Sequence, residues 1–219
     1  MKLTKENRKA FVLTAVVILL AIAAVVAVVV FGDANREGGT PMVGPSGDAA
    51  LTPTHYIAID VADYGTMTAE LYGDAAPVTV QNFVKLVESG FYNGLTFHRV
   101  YTGFVIQGGC PMGNGYGGAE ENIKGEFAQN GFHNPIKHER GVLSMARSAA
   151  GFDTASSQFF IMHQAAPSLD GGYAAFGRLL SGIEIVDAIC KDTPVVDRNG
   201  SVAAENQPVI TAIRLIEKP

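Results

Sequence analysis

The chain lacks what most chemistries require. Its 219 residues include two cysteines, Cys110 and Cys190, too few for a disulfide framework. Whether the two pair is left open. No cysteine lies near the end of the one long apolar run, which argues against a lipid-modified start. There is no basic cluster or stripe: from residue 55 onward 11 Lys and Arg face 17 Asp and Glu, which argues against nucleic acid as a partner. No G-x-S-x-G elbow is present, so a serine hydrolase has no support. His133 and His138 flank Pro135 without zinc-type spacing or a cysteine partner, and a loop role is expected rather than a metal site. Gly113-x-Gly115-x-x-Gly118 formally fits a dinucleotide fingerprint, but no amphipathic helical pattern follows it. A mobile surface loop is the expectation there.

What is present begins with residues 10–32, which carry no charge. These 23 residues, if helical, span about 34 Å, enough for a hydrocarbon core of roughly 30 Å. Lys2, Lys5, Arg8 and Lys9 precede the run against the single Glu6, so the positive-inside rule puts residues 1–9 in the cytoplasm and the rest outside. The competing reading is a cleaved signal peptide. The run is longer than a signal h-region and ends in Val28-Val29-Val30-Phe31, a poor cleavage site, so a retained single-pass anchor in the cell membrane is expected. Residues 33–54 are rich in Gly, Pro, Ser, Thr and Ala and read as a flexible tether with a mean reach of about 25 Å. Residues 55–219 suit one domain with a single core.

Within that domain, Tyr56–Val61 and Thr66–Leu71 read as a hairpin turned by Asp63-Tyr64-Gly65. Pro77–Ser89 carries Val80, Phe83, Val84 and Val87 at helical spacing and is closed by Gly90. Short strands are predicted at Thr96–Val100, Val105–Gln107, Val142–Met145, Gln158–Met162, Ala174–Phe176 and Val209–Ile216, with a second helix at Ile183–Cys190. The pattern is mainly β: a closed antiparallel barrel capped by two helices. Asn199-Gly200-Ser201 matches a glycosylation sequon, but a tight turn between Val195-Val196 and Val202-Ala203 accounts for it better. Glu120-Glu121 and the charges of Lys137–Arg140 read as solvated surface.

One constellation resists a structural explanation. Phe97-His98-Arg99-Val100, Gly103-Phe104-Val105-Ile106-Gln107-Gly108-Gly109 and Ser156-Ser157-Gln158-Phe159-Phe160-Ile161 set Arg99, Gln107 and Gln158 among aromatics in strand-like runs. Some of the aromatics must fill the barrel, because strands alternate. Arg99 and Gln107 would be costly to bury without partners, and suit a shallow apolar pocket with a few fixed donors. Spacing alone leaves the two readings even.

These blocks resemble the cyclophilins, a family of peptidyl-prolyl cis/trans isomerases. Phe97–Val100 is similar to the family's F-H-R-[IV], Gly103–Gly109 to G-F-x-x-Q-G-G, Leu143–Ala146 to L-[SA]-M-A and Ser157–Ile161 to S-Q-F-F-I. Leu169-Asp170-Gly171 and Phe176-Gly177 resemble later signatures, and the matches run in family order from about Tyr56 to Ile216. The resemblance implies an eight-stranded barrel and an enzyme that needs no cofactor or metal. It implies that Arg99 is catalytic, that Phe104, Val105, Phe160 and Leu169 form a proline pocket, and that Gln107 binds the substrate backbone. Ala146 and Arg147 would face the peptide with main-chain groups, Gln158 would help close the pocket, and Tyr173 would stand at its rim in place of a histidine. His98 would be a structural hydrogen-bonding residue.

Val105 in place of a methionine, Arg147 in place of an asparagine, Ser168 in place of a tryptophan and a longer Ser148–Ser156 segment resemble bacterial-type cyclophilins. The Ser168 departure puts tight cyclosporin binding in doubt. Expected partners are proline-containing polypeptides, unfolded or secreted, and the membrane through the N-terminal helix. The expected function is acceleration of folding outside the cytoplasm; the alternative is a non-catalytic proline-peptide-binding chaperone or scaffold.

Overall fold

The structure, a computed structural model, describes residues 51–219. The expected anchor at 10–32 and the tether up to residue 50 lie outside the described residues. Among the described residues no helix is long and apolar enough to cross a membrane.

Eight strands form one antiparallel sheet: β1 His55–Val61, β2 Gly65–Leu71, β3 Phe97–Tyr101, β4 Val105–Gly108, β5 Val142–Met145, β6 Phe159–Met162, β7 Ala175–Ser181 and β8 Ile210–Ile216. Their spatial order is β3-β4-β6-β5-β7-β2-β1-β8. The strand rule supplies the core: Ile57, Ile59 and Val61 of β1 and Met67, Ala69 and Leu71 of β2 alternate inward and are buried. The β1–β2 turn is made by Asp63, whose φ of 65° lies in the left-handed region that Asp tolerates.

The expected closed barrel is corrected in one respect. The edge strands β3 and β8 share no ladder; closure is made just ahead of them, by the Thr96–Val209 bridge and three backbone hydrogen bonds, Phe97 N–H to Pro208 O at 2.9 Å, Ile210 N–H to Leu95 O at 2.8 Å and Gly94 N–H to Ile210 O at 2.8 Å. The cause is a competitor for the outer edge of β3. The 195–202 hairpin takes that edge instead: Val100 N–H donates to the Gly200 carbonyl at 2.8 Å and Val202 N–H to the His98 carbonyl at 3.0 Å. Strand β7 also runs further than the expected Ala174–Phe176. A Cβ at Gly177 would sit 2.6 Å from the Glu70 carbonyl, so the glycine that reads as a strand end is what lets β7 lie against β2.

Two helices cover the sheet, α1 at Pro77–Glu88 and α2 at Ile183–Asp192. Helix α1 begins on Pro77, with fixed φ, and buries Val80, Phe83, Leu86 and Val87; Val84, expected on that face, is half-buried at its margin. Its C-terminus is a Schellman motif, in which Gly90 N–H donates to Val87 O and Phe91 N–H to Leu86 O, both at 3.0 Å. Its N-terminus has no side-chain cap of its own. Glu126, from a distant loop and fully buried, accepts from Val78 N–H at 2.9 Å and Thr79 N–H at 2.8 Å. One carboxylate thus satisfies two orphan donors at the positive end of the helix dipole. Phe83 carries the helix into the core, its ring 5.0 Å from Tyr92, 5.0 Å from Phe176 and 5.4 Å from Phe159. Cys110 and Cys190 are separate buried thiols, which settles the open question of their pairing.

His98 departs from its expected role. It is 6 % exposed, and among the described residues neither ring nitrogen has a hydrogen-bond partner. Burial, with the Arg99 charge beside it, pushes its pKa down to about 4, so the ring is a neutral filler rather than a hydrogen-bonding strut.

Two stability outcomes follow from these contacts. Glu126→Ala removes the acceptor from the half-buried Val78 N–H and the buried Thr79 N–H and should cost about 3 kcal/mol, seen as a lower urea midpoint with an unchanged m-value. Glu126→Gln, which keeps one acceptor oxygen, should lose less. For His98, the ring is neutral in folded and unfolded chains above about pH 6.5 and imposes no penalty there. As pH falls from that value toward about 4, the unfolded chain binds the proton first, and the fold should lose on the order of 3 kcal/mol. His98→Leu should flatten the urea midpoint across that window relative to wild type.

Candidate active site

The site lies on the outer face of β3, β4, β6 and β5, and a bulge puts its arginine there. In the β3–β4 ladder Phe97 pairs with Gly108 but Arg99 pairs with Gln107, so His98 is an extra residue with no opposite number. Phe97 and Val100 therefore both face the core, at 0 % and 1 % exposure, while Arg99 turns outward. Strict alternation would have sent Arg99 inward with Phe97. Cross-strand pairing then continues one row over the outer face: Arg99 to Gln107, Gln107 to Phe160, and Phe160 to Ser144. The same alternation divides the two aromatics of β6. Phe159 packs in the core with Phe83, and Phe160 belongs to the outer cluster with Val105 and Met162.

A cavity of about 170 Å³ opens on this row, lined by Arg99, Phe104, Val105, Gln107, Ala146, Arg147, Phe160, Leu169 and Tyr173. Every site residue expected from the sequence is in that lining except Gln158. Gln158 instead lines an adjoining cavity of about 420 Å³, which shares Gln107, Ala146 and Arg147 with the first.

Gln158 still acts on the pocket, through hydrogen-bond direction. Its Nε2 donates to the carbonyls of Gly115 at 2.8 Å and Gly117 at 2.7 Å. Its Oε1 is left to accept from Gln107 Nε2 at 2.9 Å. Gln107 must then present Oε1 to Arg99, whose Nη1 donates to it at 3.2 Å. The glycine-rich loop, expected to be a mobile surface element, is thus pinned at two carbonyls; Gln207 Nε2 holds a third, that of Gly113, at 2.8 Å.

The second fixture of Arg99 was not visible in the sequence. Its Nε donates to the Asn199 carbonyl at 2.7 Å. Asn199 sits in the 195–202 turn, where Asp197 Oδ1 accepts from Asn199 N–H at 2.8 Å and Ser201 N–H at 3.0 Å. Gly200, at φ +83°, passes so close to β3 that a Cβ would stand 2.4 Å from the Val100 carbonyl. The turn expected at Asn199-Gly200 is present; that it orients the arginine is new. The guanidinium lies over the rings of Phe104 at 5.7 Å and Tyr101 at 5.8 Å. Burial lowers its pKa, opposed by Tyr101, Tyr173 and Asp197, and an arginine so placed stays charged.

Behind the pocket, His138 lies in a loop as expected, but it is buried rather than part of the solvated surface expected for Lys137–Arg140. It is 2 % exposed and stacks on Phe160 at 6.0 Å with a 21° interplanar angle. Its Nδ1 bonds Asp170 Oδ1 and its Nε2 bonds Ser144 Oγ, each at 3.0 Å. Burial lowers the pKa of this histidine against the pull of Asp170, which keeps it a neutral buttress. The Asp-His-Ser series resembles a hydrolytic triad in contacts only, since Ser144 is fully buried and offers no path to a substrate. Lys137 and Arg140 are exposed, as expected, and pair with Asp170 at 3.6 Å and Asp187 at 2.7 Å. Of the main-chain groups expected to face a peptide, Ala146 N–H is already given to the Gln158 carbonyl at 2.9 Å. Among the described residues the Ala146 carbonyl and the Arg147 N–H have no such partner.

A cavity walled on one side by Phe104, Val105, Phe160 and Leu169, with the Arg99 guanidinium oriented by two acceptors and free main-chain groups at its rim, can bind a non-polar residue and direct a strong donor at it. Residues 56–215 match the family model described as cyclophilin type peptidyl-prolyl cis-trans isomerase/CLD. A peptidyl-prolyl cis-trans isomerase of Helicobacter pylori is 49 % identical over 141 residues, covering 64 % of this chain and 83 % of its own. Peptidyl-prolyl cis-trans isomerase B of Bacillus subtilis is 56 % identical over 115 residues, covering 52 % of this chain and 76 % of its own. The solved structure of a cyclophilin type isomerase from Cryptosporidium parvum, in the presence of the dipeptide Ala-Pro, superposes with a TM-score of 0.65 at 31 % identity. That match covers 74 % of this chain and 99 % of the other. The outward row, the cavity it lines and these similarities agree: the chain belongs to the cyclophilin-type peptidyl-prolyl cis-trans isomerases.

Proposed function

We propose that this isomerase works outside the cytoplasm, tethered through residues 10–32, and that Arg99 carries its catalysis. The supporting observation for the second part is the double fixing of Arg99 by Asn199 and Gln107 over the apolar cavity. Rotation about an X–Pro bond meets a barrier of about 18–20 kcal/mol because amide conjugation breaks. At the twisted geometry the proline nitrogen regains a lone pair and the carbonyl loses charge separation. An apolar cavity favours that less polar state. A guanidinium donating to the nitrogen makes a bond available only at the transition state, the kind of interaction that raises kcat.

Energetics say how the work is divided. An acceleration of about 10⁵ needs roughly 7 kcal/mol. One charge-assisted hydrogen bond supplies about 1.5–3 kcal/mol, so positioning and desolvation in the pocket must contribute the remainder. Gln107 and the Ala146–Arg147 main chain would hold the peptide backbone, with Phe104, Val105, Phe160, Leu169 and Tyr173 enclosing the proline ring. This chemistry requires no nucleophile and no cofactor. Proline-containing clients arriving unfolded at the outer membrane face would be the substrates.

The domain from residue 51 should catalyse cis/trans exchange of an Ala-Pro peptide, followed by NMR exchange spectroscopy. Arg99→Ala should lower kcat/KM at least tenfold, and equal rates in the two proteins would sink the arginine mechanism. Tight peptide binding without exchange in either protein would instead favour the scaffold role. The location is tested separately. External protease on intact cells should degrade the domain, and full protection would contradict the outward orientation.

A further inference from the structure

Arg147 is built into the site in a way its neighbours are not. Its guanidinium lies over three rings, Tyr173 at 4.8 Å, Phe152 at 5.2 Å and Phe127 at 5.3 Å. Its Nε donates to the Gly172 carbonyl at 2.9 Å, and its Nη1 to the carbonyls of Ser148 at 3.2 Å and Gly151 at 3.4 Å. Three of five N–H groups are thereby committed to the backbone, and among the described residues Nη2 has no partner. The cage removes most of the rotamer entropy an arginine normally loses when it binds an anion.

The charge around it is one-sided. Arg147 lines both the small cavity and the larger one beside it, where it is the only charged side chain in the wall. The other wall groups are neutral, among them Gln107, Asn122, Thr154 and Gln158. Among the described residues neither Arg99 nor Arg147 forms an ion pair. The acidic residues next in sequence to the wall, Asp153 beside Thr154 and Glu120 and Glu121 between Ala119 and Asn122, do not line it. Asp153 Oδ1 accepts from Gly125 N–H and Asn130 Nδ2, Glu121 lines the groove beside α1, and Glu120 is exposed outside the cavity lining. A domain with an excess of acidic residues therefore presents a cationic cleft.

We propose that Arg147 is a specificity residue of the isomerase, selecting peptides with an acidic side chain within two residues of the proline, seated in the larger cavity. Successive Cα atoms are about 3.8 Å apart, so a chain with its proline in the small cavity reaches the adjoining one within a residue or two. There a carboxylate meets the preorganised Nη2, with no competing carboxylate in the wall. The proposal rests on the isomerase activity of the same site.

The test is a set of Xaa-containing proline peptides with Glu, Gln or Lys at each of the two positions on either side of the proline, read as kcat/KM. At one of these positions Glu should exceed Gln by about two- to fivefold, with Lys below Gln, as suits a partly exposed ion pair. The Glu advantage should shrink at 1 M salt, where the screening length falls to about 3 Å. In Arg147→Gln the Glu-to-Gln ratio should fall to about one whatever the absolute rate. Equal rates for Glu and Gln at all four positions in wild type overturn the proposal, as does a preference that ignores salt or survives in Arg147→Gln. If wild type isomerises none of the peptides, the isomerase reading itself fails and this one with it; turnover of all of them without preference removes only the specificity.

Discussion

The whole active surface depends on one extra residue in β3. Because His98 has no opposite number on β4, the strand changes face between Phe97 and Arg99. The apolar residues Phe97 and Val100 stay in the core, and the arginine is delivered to the outside beside Gln107. A regular strand could not do both, since its period is two. The bulge leaves its own residue in an awkward place: His98 is buried with both nitrogens unpaired, a local cost the rest of the core must offset.

With the arginine outside, its direction is set by a chain of hydrogen bonds whose polarity admits one arrangement. Two loop carbonyls claim the amide nitrogen of Gln158, which forces the orientation of Gln107 and makes its oxygen the acceptor for Arg99. The Asn199 carbonyl holds the other end of the guanidinium. On the far side of the pocket His138 plays the matching part for the apolar wall, locked between Asp170 and Ser144 and stacked on Phe160. The site is thus rigid without being reactive, which suits a reaction that requires a shaped, low-polarity environment and no bond-making group.

Much of this was legible residue by residue. The helix face of Val80, Phe83 and Val87, the Asp63 turn and the eight strand segments follow from period and turn chemistry, which act over a few residues. Nine of the ten site residues fall in one cavity lining, because the blocks that carry them lie on adjacent strands. The misses share a cause. Glu126 capping α1, Asn199 holding Arg99, His138 behind Phe160 and the Phe127 and Tyr173 rings of the Arg147 cage join residues between 20 and 100 positions apart, so no local pattern announces them. The expected strand at Ala174–Phe176 stops short for the same reason: the close approach that Gly177 permits is to β2, far away in the chain.

The sequence by itself determined the element types, the candidate site residues and the apolar run that suggests an anchor, because hydrophobic period, turn residues and side-chain chemistry are local properties. Only the tertiary structure decided which face Arg99 occupies, which way Gln107 and Gln158 point, and that the Arg147 side chain is caged beside its main-chain N–H. Those outcomes depend on the pairing register of β3 with β4 and on loops brought together from opposite ends of the domain. Register and loop contact are settled by the packing of the whole core, which no single segment contains.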